Sequence, residues 1–290
     1  MFVGAVRFSA RCLEALAAGG LRFEAVMGPE GPGPNADYED LAPVAARHGF
    51  PFRRFRKISE EASYLQGLAP DIIFVMGLSQ LLPPAVLSAA RIGVLGSHPA
   101  LLPQNRGRHP IVWALANGLS RGGLSLFWID AGVDSGDLWR QAEFPIAPED
   151  DAGTVYEKVC RAAESLLTEG LAELRDGTPA RRPQDHSAAN VWRKRTPADG
   201  RIDWRMSSRR IVDLTRALAA PYPGATAALR GTDVPVGRVE PRPGDRFENF
   251  EPGKVVGMGP RGPLVKTGDG VVELVEHGFV PVPEPGEYLL

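Results

Sequence analysis

The chain has 290 residues, 33 Lys and Arg against 35 Asp and Glu for a formal net charge of −2, and a hydrophobic share of 43%. That is the composition of a globular protein with a real core in one large domain or two smaller ones, and the near-neutral balance argues against a nucleic-acid partner. With no signal-peptide pattern, no apolar run of membrane length, and only Cys12 and Cys160, both in helix-like stretches, the expectation is a cytoplasmic protein without a membrane partner, whose cysteines are small core residues rather than a disulfide or metal pair.

Residues 2–6 ("FVGAV") predict a short strand, 10–20 a helix ended by Gly19 and Gly20, and 21–28 ("LRFEAVMG") a second strand. A loop over 28–40 leads to a short helix over 40–50, with His48 near its C-terminal end compensating the dipole. The Arg53–Lys57 stretch reads as solvated surface. "DIIFVMG" (71–77) is a continuous apolar run, the mark of a strand buried on both faces of a parallel sheet. A helix over 81–90 with prolines in its first turn follows, then a buried strand over 92–98 and a helix over 110–118. Segments 123–130 and 136–146 predict two strands around a Gly turn, and 150–177 has helical apolar spacing over many turns. Residues 178–200 are polar and irregular, and 207–218 is an N-capped amphipathic helix. The remainder, rich in Gly and Pro, breaks into short strands that suit a small β-barrel.

The fold class expected is therefore α/β: a parallel, Rossmann-like sheet domain over 1–178, a linker over 179–200 and a smaller C-terminal β-rich, OB-like domain over 201–290. Right-handed crossovers line the C-terminal strand ends along one crevice edge, and His98 stands at one of those ends. Asp134 follows 36 residues later in a tight acidic Gly turn. An imidazole titrates near neutral pH, and a nearby carboxylate holds its tautomer and raises its basicity, so the pair is the candidate catalytic centre. His109, Arg106 and Arg108 flank the loop after His98, and Asp130 and Asp137 read as residues that orient the acidic turn.

"HPALLPQNRG" (98–107) followed by "DAGVDSGD" (130–137) resembles the signature of the folate-dependent formyltransferase family, closest in feel to its sugar-nucleotide N-formyltransferases. The resemblance extends upstream to "DIIFVMGLSQLLP" (71–83) and downstream to "DGRIDWRMSSRRIVDLTRALAAPYPGA" (199–225), nearly the whole chain. It implies formyl transfer from 10-formyltetrahydrofolate to an amine, with no metal. His98 then assists proton transfer or stabilises the oxyanion, and Asp134 orients it. Met76, Gly77, Leu78, Leu81, Leu82 and Leu87 would line the pterin slot together with the turn Asp130, Ala131, Gly132 and Val133. Gly4, Ser9 and Arg106 would face the acceptor, Gly4 and Ser9 through anion binding at a helix N-terminus.

Two departures stand out. The family places Asn two residues before the His to bind the formyl oxygen, and here that position is Gly96; a backbone N–H at Gly96, Ser97 or Asn105 would have to substitute. Only Met1–Val3 precede Gly4, so the first strand is short or the start lies late. The acceptor expected is a small amine, foremost a nucleotide-linked amino sugar, on the "PYPGA" (221–225) and "NRGRHP" stretches and the acidic balance. Methionyl-tRNA, water as in a formyltetrahydrofolate hydrolase, and a non-catalytic folate or nucleotide binder remain alternatives. A homodimer is open.

Overall fold

The computed structural model describes residues 1–32, 36–243 and 247–290; the expected loop over 28–40 thus lies in part outside the described residues. By internal contact the chain divides into two units. The first comprises Met1–Pro110, Gly122–Phe144 and Glu157–Trp192, the second Ile111–Arg121, Pro145–Tyr156 and Arg193–Leu290. The stretch expected as a linker is therefore shared, with 179–192 in the first unit and 193–200 in the second.

The first unit is built on a seven-stranded sheet. Its elements in chain order are β1 (Phe2–Gly4), α1 (Arg7–Ala18), β2 (Val26–Pro29), α2 (Ala42–Arg47), β3 (Phe52–Phe55), α3 (Ala62–Leu68), β4 (Ile72–Met76), α4 (Pro84–Leu87), β5 (Gly93–His98) and the short β6 (Arg106–Gly107). After α5 (Pro110–Ala116), which falls in the second unit from Ile111 on, come β7 (Arg121–Trp128), β8 (Leu138–Pro145), α6 (Ala152–Glu169), whose first turns are also in the second unit, α7 (Leu171–Arg175) and β9 (Val191–Trp192). Strand order across the sheet is β3-β2-β1-β4-β5-β7-β8. β1 to β5 run parallel and β7 turns antiparallel against β5. The five residues of β4 are all buried, as the apolar run required. One core cluster gathers Val3, Met27, Phe55, Ile58, Leu65, Ile73, Val75, Val86 and Val94. Each such side chain stabilises the fold by roughly 1.5–3 kcal/mol relative to exposure. α1 lays Phe8, Cys12, Leu13 and Leu16 inward at helical spacing. Burial pushes the Cys12 thiol well up and the Cys160 thiol up to about 12, so both are protonated core residues.

Several elements differ from expectation. The second strand begins at Val26, and 21–25 is irregular chain outside the ladder. The helix expected over 81–90 is only Pro84–Leu87, because Pro83 and Pro84 lack donors and fix their backbone. The long helix expected over 150–177 breaks at Gly170. The "FRRF" run is not merely surface: it is the edge strand β3, whose Arg53 and Arg54 are exposed and ion-paired to Glu61 and Asp40. Charge on an edge strand blocks further pairing, and it also hides the strand from a hydrophobic pattern.

The second unit contains α8 (Ser208–Ala217), capped by the Ser207 hydroxyl accepting from the Arg210 N–H, and strands β10 (Ala225–Leu229), β11 (Thr232–Arg242), β12 (Val255–Met258), β13 (Pro263–Lys266) and β14 (Val271–His277). They form an antiparallel sheet of order β10-β11-β14-β13-β12. Residues 287–290 bridge the two edges. Leu289 pairs with Leu229 and Tyr288 with Lys254, while the Val255 N–H donates to the Glu287 carbonyl at 2.8 Å. That closes the sheet into the expected small barrel.

Candidate active site

β5 carries His98 to the end of the sheet, where its backbone still pairs with Ser125 of β7. The ring is buried, with the residue 4% exposed. The chain then passes through a cis Leu102–Pro103 peptide and brings the Asn105 carbonyl to 2.7 Å from His98 Nε2. A carbonyl only accepts, so this contact assigns the hydrogen to Nε2 and the lone pair to Nδ1. Nδ1 lies 3.6 Å from Oδ2 of Asp134. That is too long for a direct hydrogen bond but within ion-pair range. Burial, the largest influence, pushes the His98 pKa below its usual value, while the Asp134 charge and the Asn105 carbonyl push it back up. Burial thus favours the neutral ring, whose free lone pair at Nδ1 lies on the side of the Asp134 carboxylate.

Asp134 is held in turn. Its Oδ2 accepts from the Gly107 N–H at 2.8 Å. The backbone around the pair is strained: Asn105, His109 and Asp134 all have positive φ, at 62°, 56° and 49°. Non-glycine residues there are held against their own preference by their surroundings, and such strain concentrates at functional sites. Gly107, with φ of 99°, admits no other residue, since a Cβ would strike the Trp192 carbonyl. Asp130 accepts from the Gly132 N–H at 3.0 Å and the Ser135 hydroxyl at 2.8 Å, which builds the turn that presents Asp134. Ala131, Gly132 and Val133 at its tip are exposed.

Other expected site residues fall in different settings. Gly96 is paired on both sides, with Val75 of β4 and Phe127 of β7, so its backbone is committed to the sheet rather than available as a donor. A Cβ at Gly96 would lie 2.6 Å from Cδ1 of Ile129, so the space of a residue-96 side chain is filled by an aliphatic group. The Asn105 side chain is engaged with Asn190, at 3.2 Å. Ser97 lies in β5 and is partly buried. Leu78, Leu82 and Leu87 pack half-buried against the core beside Ile129, Met76 is fully buried, and Leu81 is 87% exposed.

Gly4 and Ser9 do not form an open anion cradle. The Ser9 hydroxyl itself accepts from the Ala5 and Val6 N–H groups at 3.1 and 3.2 Å and donates to the Met76 carbonyl at 2.5 Å. A Cβ on Gly4 would lie 2.6 Å from that hydroxyl. Arg106 also turns inward: it is 8% exposed, and its Nη2 donates to Gln184 Oε1 at 2.6 Å and contacts His186 Nδ1 at 3.1 Å. Gln184 and Asn190 were not singled out from the sequence; they sit in a polar, aperiodic stretch whose pattern carries no signal. Among the described residues no His, Cys, Asp or Glu group is arranged to hold a metal.

The chain is similar to known proteins along most of its length. Residues 28–171 match the formyl transferase domain model and 194–279 match the formyl transferase C-terminal domain model. The chain is 31% identical over 282 residues to a methionyl-tRNA formyltransferase of Agathobacter rectalis, covering 95% of this chain and 90% of that one. A methionyl-tRNA formyltransferase of Solibacter usitatus is likewise 31% identical, over 283 residues, covering 95% and 89%. Among solved structures, the N-formyltransferase of Helicobacter canadensis with folinic acid and dTDP-3-aminofucose superposes with a TM-score of 0.69 at 16% identity, over 96% of this chain and 98% of that one. HypX of Aquifex aeolicus with tetrahydrofolic acid superposes at 0.66 and 19% identity over 95% of this chain, which spans only 43% of HypX. Both solved structures share the fold. With both domain models matched and relatives of this identity along its length, the chain belongs to the formyltransferase family.

Proposed function

We propose that the enzyme transfers a formyl group from 10-formyltetrahydrofolate to the amine of a nucleotide-linked amino sugar, with His98 and Asp134 as its catalytic pair. The observation that carries the reading is the geometry of that pair: a buried, neutral imidazole whose Nδ1 faces a carboxylate at 3.6 Å. The acceptor nitrogen attacks the formyl carbon and a tetrahedral oxyanion forms. The nitrogen must then lose a proton, and His98 Nδ1 takes it while Asp134 stabilises the imidazolium. The imidazolium then gives that proton to N10 of the folate, which leaves as the neutral amine of tetrahydrofolate while the carbonyl re-forms. Such proton transfer contributes about 10²–10⁴-fold. The half-buried leucines Leu78, Leu82 and Leu87 next to Ile129 offer an apolar wall suited to a pterin ring, and the exposed turn at Ala131–Val133 offers backbone polar groups.

Charge supports a small acceptor. Residues 193–290 carry 15 Lys and Arg against 13 Asp and Glu. Many of these cations are already paired: Arg193 with Asp199, Arg201 with Asp233, Arg205 with Asp203, Arg230 with Glu287, and Arg261 with Glu240. A polyanion gains affinity when unpaired protein cations displace its counterions, and the ion pairs above leave fewer such cations among the described residues. That favours a small acceptor. The second reading, methionyl-tRNA, is favoured by the names of the relatives at 31% identity. Tetrahydrofolate release decides between them, measured with a panel of nucleotide-linked amino sugars, other small amines and Met-tRNA. The proposal predicts release with an amino sugar. Release only with charged tRNA, or release without any amine, overturns it, as does folate binding with no turnover at all.

A further inference from the structure

We infer that residues 182–192, which neither family domain model covers, belong to the catalytic machinery, with Gln184 and Asn190 as positioning residues for the His98–Asp134 pair. The inference rests on the reading of that pair given above.

His98 has two partners, and this one segment holds both. The Asp134 side is held by Gln184. Its amide is buried, and its Nε2 donates to the carbonyls of Asp134 at 2.9 Å and Gly136 at 2.6 Å. Its Oε1 accepts from Arg106 at 2.6 Å. One side chain thus ties the acidic turn to the strand β6 that supplies the Gly107 N–H to Asp134. The Asn105 side is held by Asn190. Its Oδ1 accepts from the Asn105 N–H at 2.8 Å, and its own carbonyl accepts from the Arg106 N–H at 3.0 Å. β9 then runs parallel to β6. Asn105 and Asp134 both have positive φ, so neither would keep its place without such restraint. A surface tether with no role in the reaction has no need to converge on the two groups that set the basicity of one histidine.

The test uses the full chain carrying Gln184→Met, which keeps the volume and removes every hydrogen bond, and Gln184→Glu, which keeps an acceptor for Arg106 but loses the donor. Asn190→Ala probes the other side. The titration of the His98 ring is followed by NMR, with His98→Gln assigning the signal. Gln184→Met and Asn190→Ala should lower the His98 pKa, because each loosens a group that raises it, and Asp134→Asn should do the same; Gln184→Glu, which adds a charge of its own, is read in turnover. In turnover, Gln184→Met should lose about 10- to 100-fold in kcat with KM changed far less, as expected for misplacement by an ångström or so. Folded Gln184→Met and Gln184→Glu proteins that titrate and turn over like the wild type overturn the inference. If His98→Gln leaves turnover intact, the catalytic reading itself fails, and the titration still judges Gln184 separately.

Discussion

Two strand ends of the same sheet meet the same physical problem and resolve it differently. At the β1 and β4 ends, where the strand order reverses and open α/β sheets usually take their ligands, Ser9 satisfies two N–H groups and one carbonyl. At the β5 end, one ring nitrogen of His98 is satisfied by Asn105 while the other only faces a charge. The backbone there is strained as well. The first end is sealed and the second is poised. Chemistry belongs where a buried titratable group keeps an unsatisfied atom, not wherever a glycine loop meets a helix.

The contrast predicts opposite failures. Replacing His98 with Gln should cut kcat/KM for tetrahydrofolate release by about 10²–10⁴-fold and leave the melting temperature near that of the wild type. Asp134→Asn should lose less, and its signature is in pH. With neutral His98 as the proposed base, activity should fall as pH drops through the folded pKa. Removing a charge that raises that pKa moves the acid limb of the kcat/KM profile to lower pH. A limb that stays put or moves up separates the carboxylate from the histidine.

At the sealed end the effect should be on stability. Ser9→Ala leaves two N–H groups and a carbonyl without their partner, at about 1–3 kcal/mol in urea unfolding, with kcat of the folded protein unchanged. A large loss of kcat with normal stability would make the β1 end part of the active site. Smallest is the change in turnover from Gly96→Asn. The new side chain meets Ile129, so the variant should lose stability and gain no activity; combined with Ile129→Ala it should fold better, and only then can an amide at this position reach the reacting carbonyl. A gain in turnover from Gly96→Asn alone would mean that Ile129 yields freely.

The division between these ends was legible only in part from the sequence. Continuous apolar runs such as Ile72–Met76 announce a buried parallel strand whatever surrounds them, and His98 at the end of another such run was visible for the same reason. Edge strand β3 escaped because its arginines obey solvent rather than the core. The anion loop expected at Gly4 was misleading because glycine spacing records tight packing as readily as ligand approach, and here it records the fit of Ser9. The resemblance turns Arg106 toward the acceptor, but the side chain is buried on Gln184, a partner 78 residues away. Gln184 and Asn190 left no trace because a polar residue that bonds to distant backbone follows no period.

The most direct test is a double-mutant cycle on kcat/KM for formyl transfer, using His98→Gln, Asp134→Asn and the two combined. If Asp134 acts through His98, the double variant should be no worse than His98→Gln alone, because the carboxylate has nothing left to stabilise. Losses that multiply across the two sites would show two independent contributions and contradict the pair as the centre of the reaction.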